Sequence, residues 1–129
     1  MNFLEQLTAE YYSYQGAFVR TNVKFGLRPR GGYEGEMDVV AFDPVSLTLR
    51  HIETSMDAES WEKRKLKFQK KFSSANNYYY KLFKFEIRKI EQMVIAGFNP
   101  PRSDFWEIAM IQSIPQFIEQ ITDYLSQFH

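Results

Sequence analysis

Gly35-Glu36-Met37-Asp38-Val39-Val40-Ala41-Phe42-Asp43-Pro44-Val45-Ser46-Leu47-Thr48-Leu49-Arg50-His51-Ile52-Glu53-Thr54-Ser55 is two runs of strand character joined by a turn-forming stretch, Asp43 to Thr48. The simplest reading is an antiparallel hairpin. Centring its turn between Val45 and Ser46 pairs residues whose numbers add to 91, so Asp38 opposes Glu53. Directly opposed residues of an antiparallel pair have Cβ atoms about 4.5–5.5 Å apart, and like charges at that range destabilise a sheet. Two acids so placed call for a divalent cation, for protonation of one of them, or for an Arg or Lys partner. A register shifted by one residue would instead send them to opposite faces.

Both faces of the hairpin carry apolar residues, Val40 and Phe42 on one and Val39, Ala41 and Ile52 on the other. It is therefore expected in the middle of a sheet covered on both sides. Upstream, Phe3, Leu4, Leu7, Tyr11 and Tyr14 have helical spacing, which predicts a helix over 3–15 ending near Gly16. Ala17 to Phe25 alternates and is rich in β-branched and aromatic residues, a first strand, with a loop from Arg28 to Tyr33. Downstream, Asp57 is placed to cap a helix over 58–72 whose stripe is Trp61, Phe68 and Phe72 with the stem of Lys65. Arg64, Lys67 and Lys71 line one flank of that stripe.

Tyr78, Leu82 and Phe85 suggest a short further helical piece, which assigns Tyr78 to the core and leaves Tyr79 or Tyr80 for stacking on unpaired bases. Ile90–Phe98 reads as a fourth strand and Phe105–Gln112 as a fifth. Ser113 and Gln116 form a capping box before a closing helix with Ile114, Phe117, Ile118, Ile121, Leu125 and Phe128 on its apolar side. The order α-β-β-β-α-β-β-α predicts a three-layer α/β sandwich around a central mixed sheet of four to five strands.

The chain has 129 residues, 44% of them apolar, which is room for one domain spanning 1–129. There is no cysteine, which excludes disulfides, thiolate nucleophiles and Cys-ligated metals. No apolar run approaches a membrane span and the start lacks signal-peptide character, so a cytoplasmic location is expected. The net charge of zero conceals a segregation: residues 63–89 hold ten basic and one acidic side chain, and the acids dominate elsewhere. Such a local concentration fits a phosphate-backbone partner, or a solvated helix face balanced by the acidic remainder.

A helix carrying Glu10, a strand from Phe18, Gly35-x-x-Asp38, Glu53-x-Ser55 and then a basic helix together resemble the PD-(D/E)xK nuclease superfamily, over residues 5 to about 113. The resemblance implies a restriction-endonuclease-like fold and Mg²⁺- or Mn²⁺-dependent hydrolysis of DNA phosphodiesters. It carries the metal-ligating roles onto Glu10, Asp38, Glu53 and the Thr54 carbonyl. It also implies phosphate contacts from Arg28, Arg30, Lys63, Arg64, Lys67 and Lys70, and the possibility of a homodimer. One departure stands out. The family's lysine falls at position 55, where this chain has Ser55. A serine there supplies no charge, so a cation from the following helix is expected in its place, Lys71 being preferred over Arg64 because an arginine cannot deprotonate. The alternative is a nuclease-like domain without catalysis that binds nucleic acid or protein. His51 is either a general base or a hydrogen-bonded structural residue.

Overall fold

The computed structural model describes residues 2–56, 59–97 and 110–128. Among these the chain forms a single mixed five-stranded sheet and four helices. The order is α1 (Phe3–Tyr14), β1 (Phe18–Leu27), β2 (Tyr33–Asp43), β3 (Thr48–Ser55), α2 (Trp61–Asn76), α3 (Tyr79–Leu82), β4 (Lys89–Ala96), β5 (Met110–Ser113) and α4 (Ile114–Ser126). The strands lie side by side in chain order. β1 to β3 form an antiparallel meander, and β4 and β5 run parallel to β3.

Helices cover both faces, as the two-sided apolar pattern of the hairpin requires. Val39, Ala41, Ile52, Met93 and Ile95 pack with Leu4, Tyr11 and Tyr12 of α1 and Phe117 of α4. On the other face, Val40, Phe42 and Leu49 pack with Ala75 and Tyr79, and Val94, Ala96 and Ile111 with Phe68 and Phe72 of α2. Burial of a large aliphatic or aromatic side chain is worth about 1.5–3 kcal/mol, so this pattern anchors the register of the central strands.

The β2–β3 register is the one the turn predicts, with Val39 opposite Ile52, Val40 opposite His51 and Asp43 opposite Thr48. Asp43 makes the turn by accepting from the backbone N–H groups of Val45 and Ser46, and Leu47 takes a left-handed φ of 57°. The ladder stops at Val39 and Ile52. Beyond it β2 continues to pair with β1 alone, out to Leu27 opposite Tyr33. Near the same level Asn22 adopts a φ of 53°, and the outer parts of β1 and β2 change sides. Val19 packs on the α1 side, whereas Val23, Phe25 and Met37 join the α2–α3 side. Asp38 therefore lies where two strands turn over and a third parts from them.

Several element boundaries depart from expectation or lie outside the described residues. Helix α2 begins at Trp61 with Ser60 as its cap, Ser60 Oγ accepting from Lys63 N, and runs on to Asn76 because Ala75 continues the buried stripe. Asp57, the expected cap, lies outside the described residues. The fifth strand is described from Met110 to Ser113, and residues 105–109 of its expected span are likewise outside. The fourth strand is described from Lys89 to Ala96, and Phe98, its expected end, lies outside the described residues. The Ser113–Gln116 capping box forms in full, with Pro115 in the first turn of α4.

Candidate functional site

Where the β2–β3 ladder ends, two side chains take over the bonding of the backbone. Asp38 N–H donates to Glu53 Oε2 at 3.0 Å, and Thr54 N–H donates to Asp38 Oδ2 at 2.9 Å. The Thr54 hydroxyl adds a third contact, to Asp38 Oδ2 at 3.3 Å. Each acid thus satisfies a main-chain donor on or beside the other, which holds both carboxylates in the opening between the strands. The two acids meet beyond the last pair of the ladder, through crossed carboxylate-to-backbone bonds and not as a cross-strand pair.

Glu53 is fully buried and accepts two further bonds. Lys71 Nζ donates to Oε1 at 2.6 Å, and His51 Nε2 lies 2.8 Å from Oε2. Lys71 reaches the strand from the middle of α2, a third of its side chain still exposed. Burial of Glu53 opposes its charge, but the hydrogen bond from His51 and the ammonium of Lys71 together outweigh that cost and hold its carboxyl below the usual range. Lys71 responds in the opposite sense: desolvation disfavours its charge, yet Glu53, Asp38 and Glu36 raise its pKa. Asp38 is the less compensated member. Burial, followed by the charge of Glu53, pushes its carboxyl up to about 6 against the lowering influence of Thr54 N–H and Lys71.

Glu5 also acts on Asp38, raising its pKa through its charge. This residue, on the first turn of α1 and 8% exposed, is the helix acid that the fold brings toward the site. Glu10 is not. It is exposed, accepts a hydrogen bond from Gln6 and lines a shallow depression with Ala9, Ser13 and Tyr14. Five residues along a helix amount to about 140° of rotation, so Glu5 and Glu10 occupy different faces. It is Glu5, and not the expected Glu10, whose charge acts on Asp38. Glu5 was legible in principle, being next to Leu4, the apolar residue of α1 with the least exposure.

The expected phosphate-binding residues divide. Arg28, Arg30, Lys63, Lys67 and Lys70 are exposed. Arg64 is not available for such a surface, being 3% exposed with its guanidinium 4.7 Å from the centre of the Trp61 ring. Arg64 is part of the buried stripe of α2, with Phe68, Phe72 and Ala75. The tyrosine run is also reassigned: Tyr79 is fully buried, Tyr78 is partly exposed and donates to Glu34, and Tyr80 is 62% exposed. Phe68, Phe72, Ala75 and Tyr79 share the 0, 4, 7, 11 spacing of one helical stripe, the signal that identifies Tyr79. Ser55 lies on β3, 8% exposed, two positions beyond Glu53.

The donors gathered here are oxygens: the carboxylates of Asp38 and Glu53, with the Thr54 carbonyl next in the chain. Both Thr54 bonds fall on Asp38 Oδ2, and Lys71 occupies one lone pair of Glu53 Oε1, which leaves acceptor capacity on each acid. Such a set suits a hard cation that keeps much of its own water, Mg²⁺ or Mn²⁺, better than zinc. Among the described residues no group of three or more His, Cys, Asp or Glu side chains is arranged to enclose a metal. Also among them, no helix is long and apolar enough to cross a membrane. No protein-family model and no curated protein matches the chain.

Proposed function

We propose that the chain is a metal-dependent phosphodiesterase acting on DNA, with a restriction-endonuclease-like architecture in which Lys71 on α2 stands in for the strand lysine that Ser55 replaces. The observation that carries this reading is the bond from Lys71 Nζ to Glu53 Oε1 beside Asp38, which assembles two acids and one ammonium from three separate elements. The meander of three strands followed by a helix and a parallel strand agrees with that architecture.

Asp38, Glu53 and the Thr54 carbonyl would hold the ion, and Glu5 adds negative charge nearby. A divalent cation bound there supplies positive charge to the oxygens of a scissile phosphate and acidifies water for in-line attack. It also relieves the repulsion that raises Asp38. Lys71 is a donor fixed beside the site, and it stabilises charge that develops on the phosphorus oxygens. Lys63, Lys67 and Lys70 on α2, with Arg28 and Arg30 on the β1–β2 loop, bind backbone phosphates without reading bases.

A second reading, a binding module without catalysis, is favoured by the same contact in another light: Lys71 already neutralises Glu53. Supercoiled and single-stranded DNA incubated with Mn²⁺ separates the two. Cleavage by the wild type that is lost in Asp38→Ala supports hydrolysis. Salt-sensitive binding that survives Asp38→Ala, with no cleavage by either protein, supports the module.

A further inference from the structure

Beneath Glu53 lies a chain of polar groups, buried on β3 and α3 and half-buried on β4. His51 is 1% exposed and Tyr79 fully buried, and the Tyr79 hydroxyl sits 2.6 Å from His51 Nδ1. Gln92 Nε2 donates to the Tyr79 oxygen at 3.0 Å, and it also reaches Asn76 Oδ1 and the Phe72 carbonyl. The other ring nitrogen, His51 Nε2, meets Glu53 Oε2 at 2.8 Å. The edge of the Phe72 ring closes one side of the imidazole, with ring centres 4.9 Å apart.

The protons of this chain have one consistent arrangement. The Gln92 amide nitrogen can only donate, so the Tyr79 oxygen accepts from it and turns its own hydrogen to His51 Nδ1, which leaves the ring hydrogen on Nε2, facing Glu53 Oε2. A ring protonated at both nitrogens would strand the Tyr79 hydrogen in the core, at the cost of an unpaired buried donor. The network thus reads Gln92 to Tyr79 to His51 to Glu53, each group donating to the next.

We propose that His51 is a positioning residue for the site: its Nε2–H pins Glu53 Oε2 inward, so that Oε1 is the oxygen turned to Lys71 and to a bound cation, while Tyr79 and Gln92 fix the tautomer. The metal-facing part of this role rests on the hydrolytic reading above; the hydrogen-bond arrangement does not. Outer partners that orient a ligating group in this way are worth about 10- to 100-fold in metal affinity.

The test uses ¹⁵N NMR of the intact chain together with Mn²⁺ titration of the wild type, Tyr79→Phe, His51→Gln and His51→Leu. The expected wild-type spectrum is that of a ring protonated at Nε2 only. Tyr79→Phe is expected to mix in the Nδ1–H form. His51→Leu is expected to weaken Mn²⁺ binding by about 10- to 100-fold, and His51→Gln to recover most of the loss because its amide can still donate to Glu53. A wild-type ring protonated at Nδ1, or at both nitrogens, overturns the proposal. So does a folded His51→Leu with wild-type Mn²⁺ affinity. Should the wild type bind no Mn²⁺, the hydrolytic reading falls and the spectra alone decide the hydrogen-bond role; a Tyr79→Phe spectrum identical to the wild type then overturns it. Where His51→Leu fails to fold, the milder Tyr79→Phe carries the comparison.

Discussion

Lys71 and Glu53 are joined by a 2.6 Å hydrogen bond that spans from α2 to β3, one partner partly solvated and the other fully enclosed. The asymmetry matters because removal of the ammonium leaves an enclosed carboxylate short of a countercharge, and such losses are expensive in the interior. Lys71→Met is expected to destabilise the chain by about 1–3 kcal/mol at pH 7.5, below the range for fully buried pairs because water screens the exposed lysine. Urea denaturation of the two proteins measures the difference. On the hydrolytic reading the same substitution lowers the cleavage rate by about 10²- to 10³-fold, the usual scale for deleting one preorganised donor.

Asp38 gives a pH dependence of known sign. Its carboxyl ionises at about 6 in the folded chain against 3.8 ordinarily, so folding is penalised by its charge. The penalty is absent below about pH 4, develops between pH 4 and 6, and is complete above that, with a ceiling of about 3 kcal/mol. Asp38→Asn retains an acceptor for Thr54 N–H and removes the charge. It is expected to be more stable than the wild type at pH 7.5 by about 1–3 kcal/mol and to lose that advantage at pH 4. Glu53 acts in the opposite direction, contributing stability above its unfolded pKa that is lost as pH falls through its lowered folded value. Equal denaturation midpoints for Asp38→Asn and wild type at pH 7.5 would count against the charge penalty that burial and Glu53 impose on Asp38.

Glu5 and Glu10 are distinguished by their influence on Asp38. The charge of Glu5 raises the Asp38 pKa, so Glu5→Gln is expected to move the Asp38 carboxyl toward its ordinary value. Glu10→Gln is expected to leave it where it is. Titration of the Asp38 carboxyl by ¹³C NMR in the two variants reads this directly, and a shift produced by Glu10→Gln alone would reverse the assignment.

Gly35, three residues before Asp38, is required by packing. A Cβ there would come within 2.4 Å of the Phe25 ring, which covers the glycine from the facing position of β1. Gly35→Ala forces that ring aside and is expected to cost about 1–3 kcal/mol, the range for overpacking a filled interior. Thermal denaturation provides the check. A neutral outcome would mean that the aromatic cover of Gly35 is not rigid.

The hairpin register, the sidedness of Val39 to Phe42 and the element order were legible because strict alternation and a short polar turn leave one arrangement in which both faces are covered. Lys71 was legible as one of three cations on a helix flank, with Arg64 and Lys67. Arg64 is in the buried stripe, a position that charge alone argues against; its stacking on Trp61 is an i, i+3 contact within α2, which the spacing of the two residues could have suggested. Glu10 was carried over from the family resemblance alone, whereas the face that α1 buries holds Glu5. Asn22 also escaped notice, since a left-handed residue inside an otherwise regular strand leaves no trace in the alternation until Val19 and Val23 are seen on different sides.

Because the ammonium arrives on a helix and not on the strand that bears Glu53, the two kinds of charge have separate mechanical supports. On the hydrolytic reading position 55 need not supply the cation, and the seating of α2 becomes the variable that brings cation and anion together. A small slide of that helix would withdraw Lys71 and leave both acids in place, an adjustment closed to any chain whose lysine is threaded into the same strand as its acid.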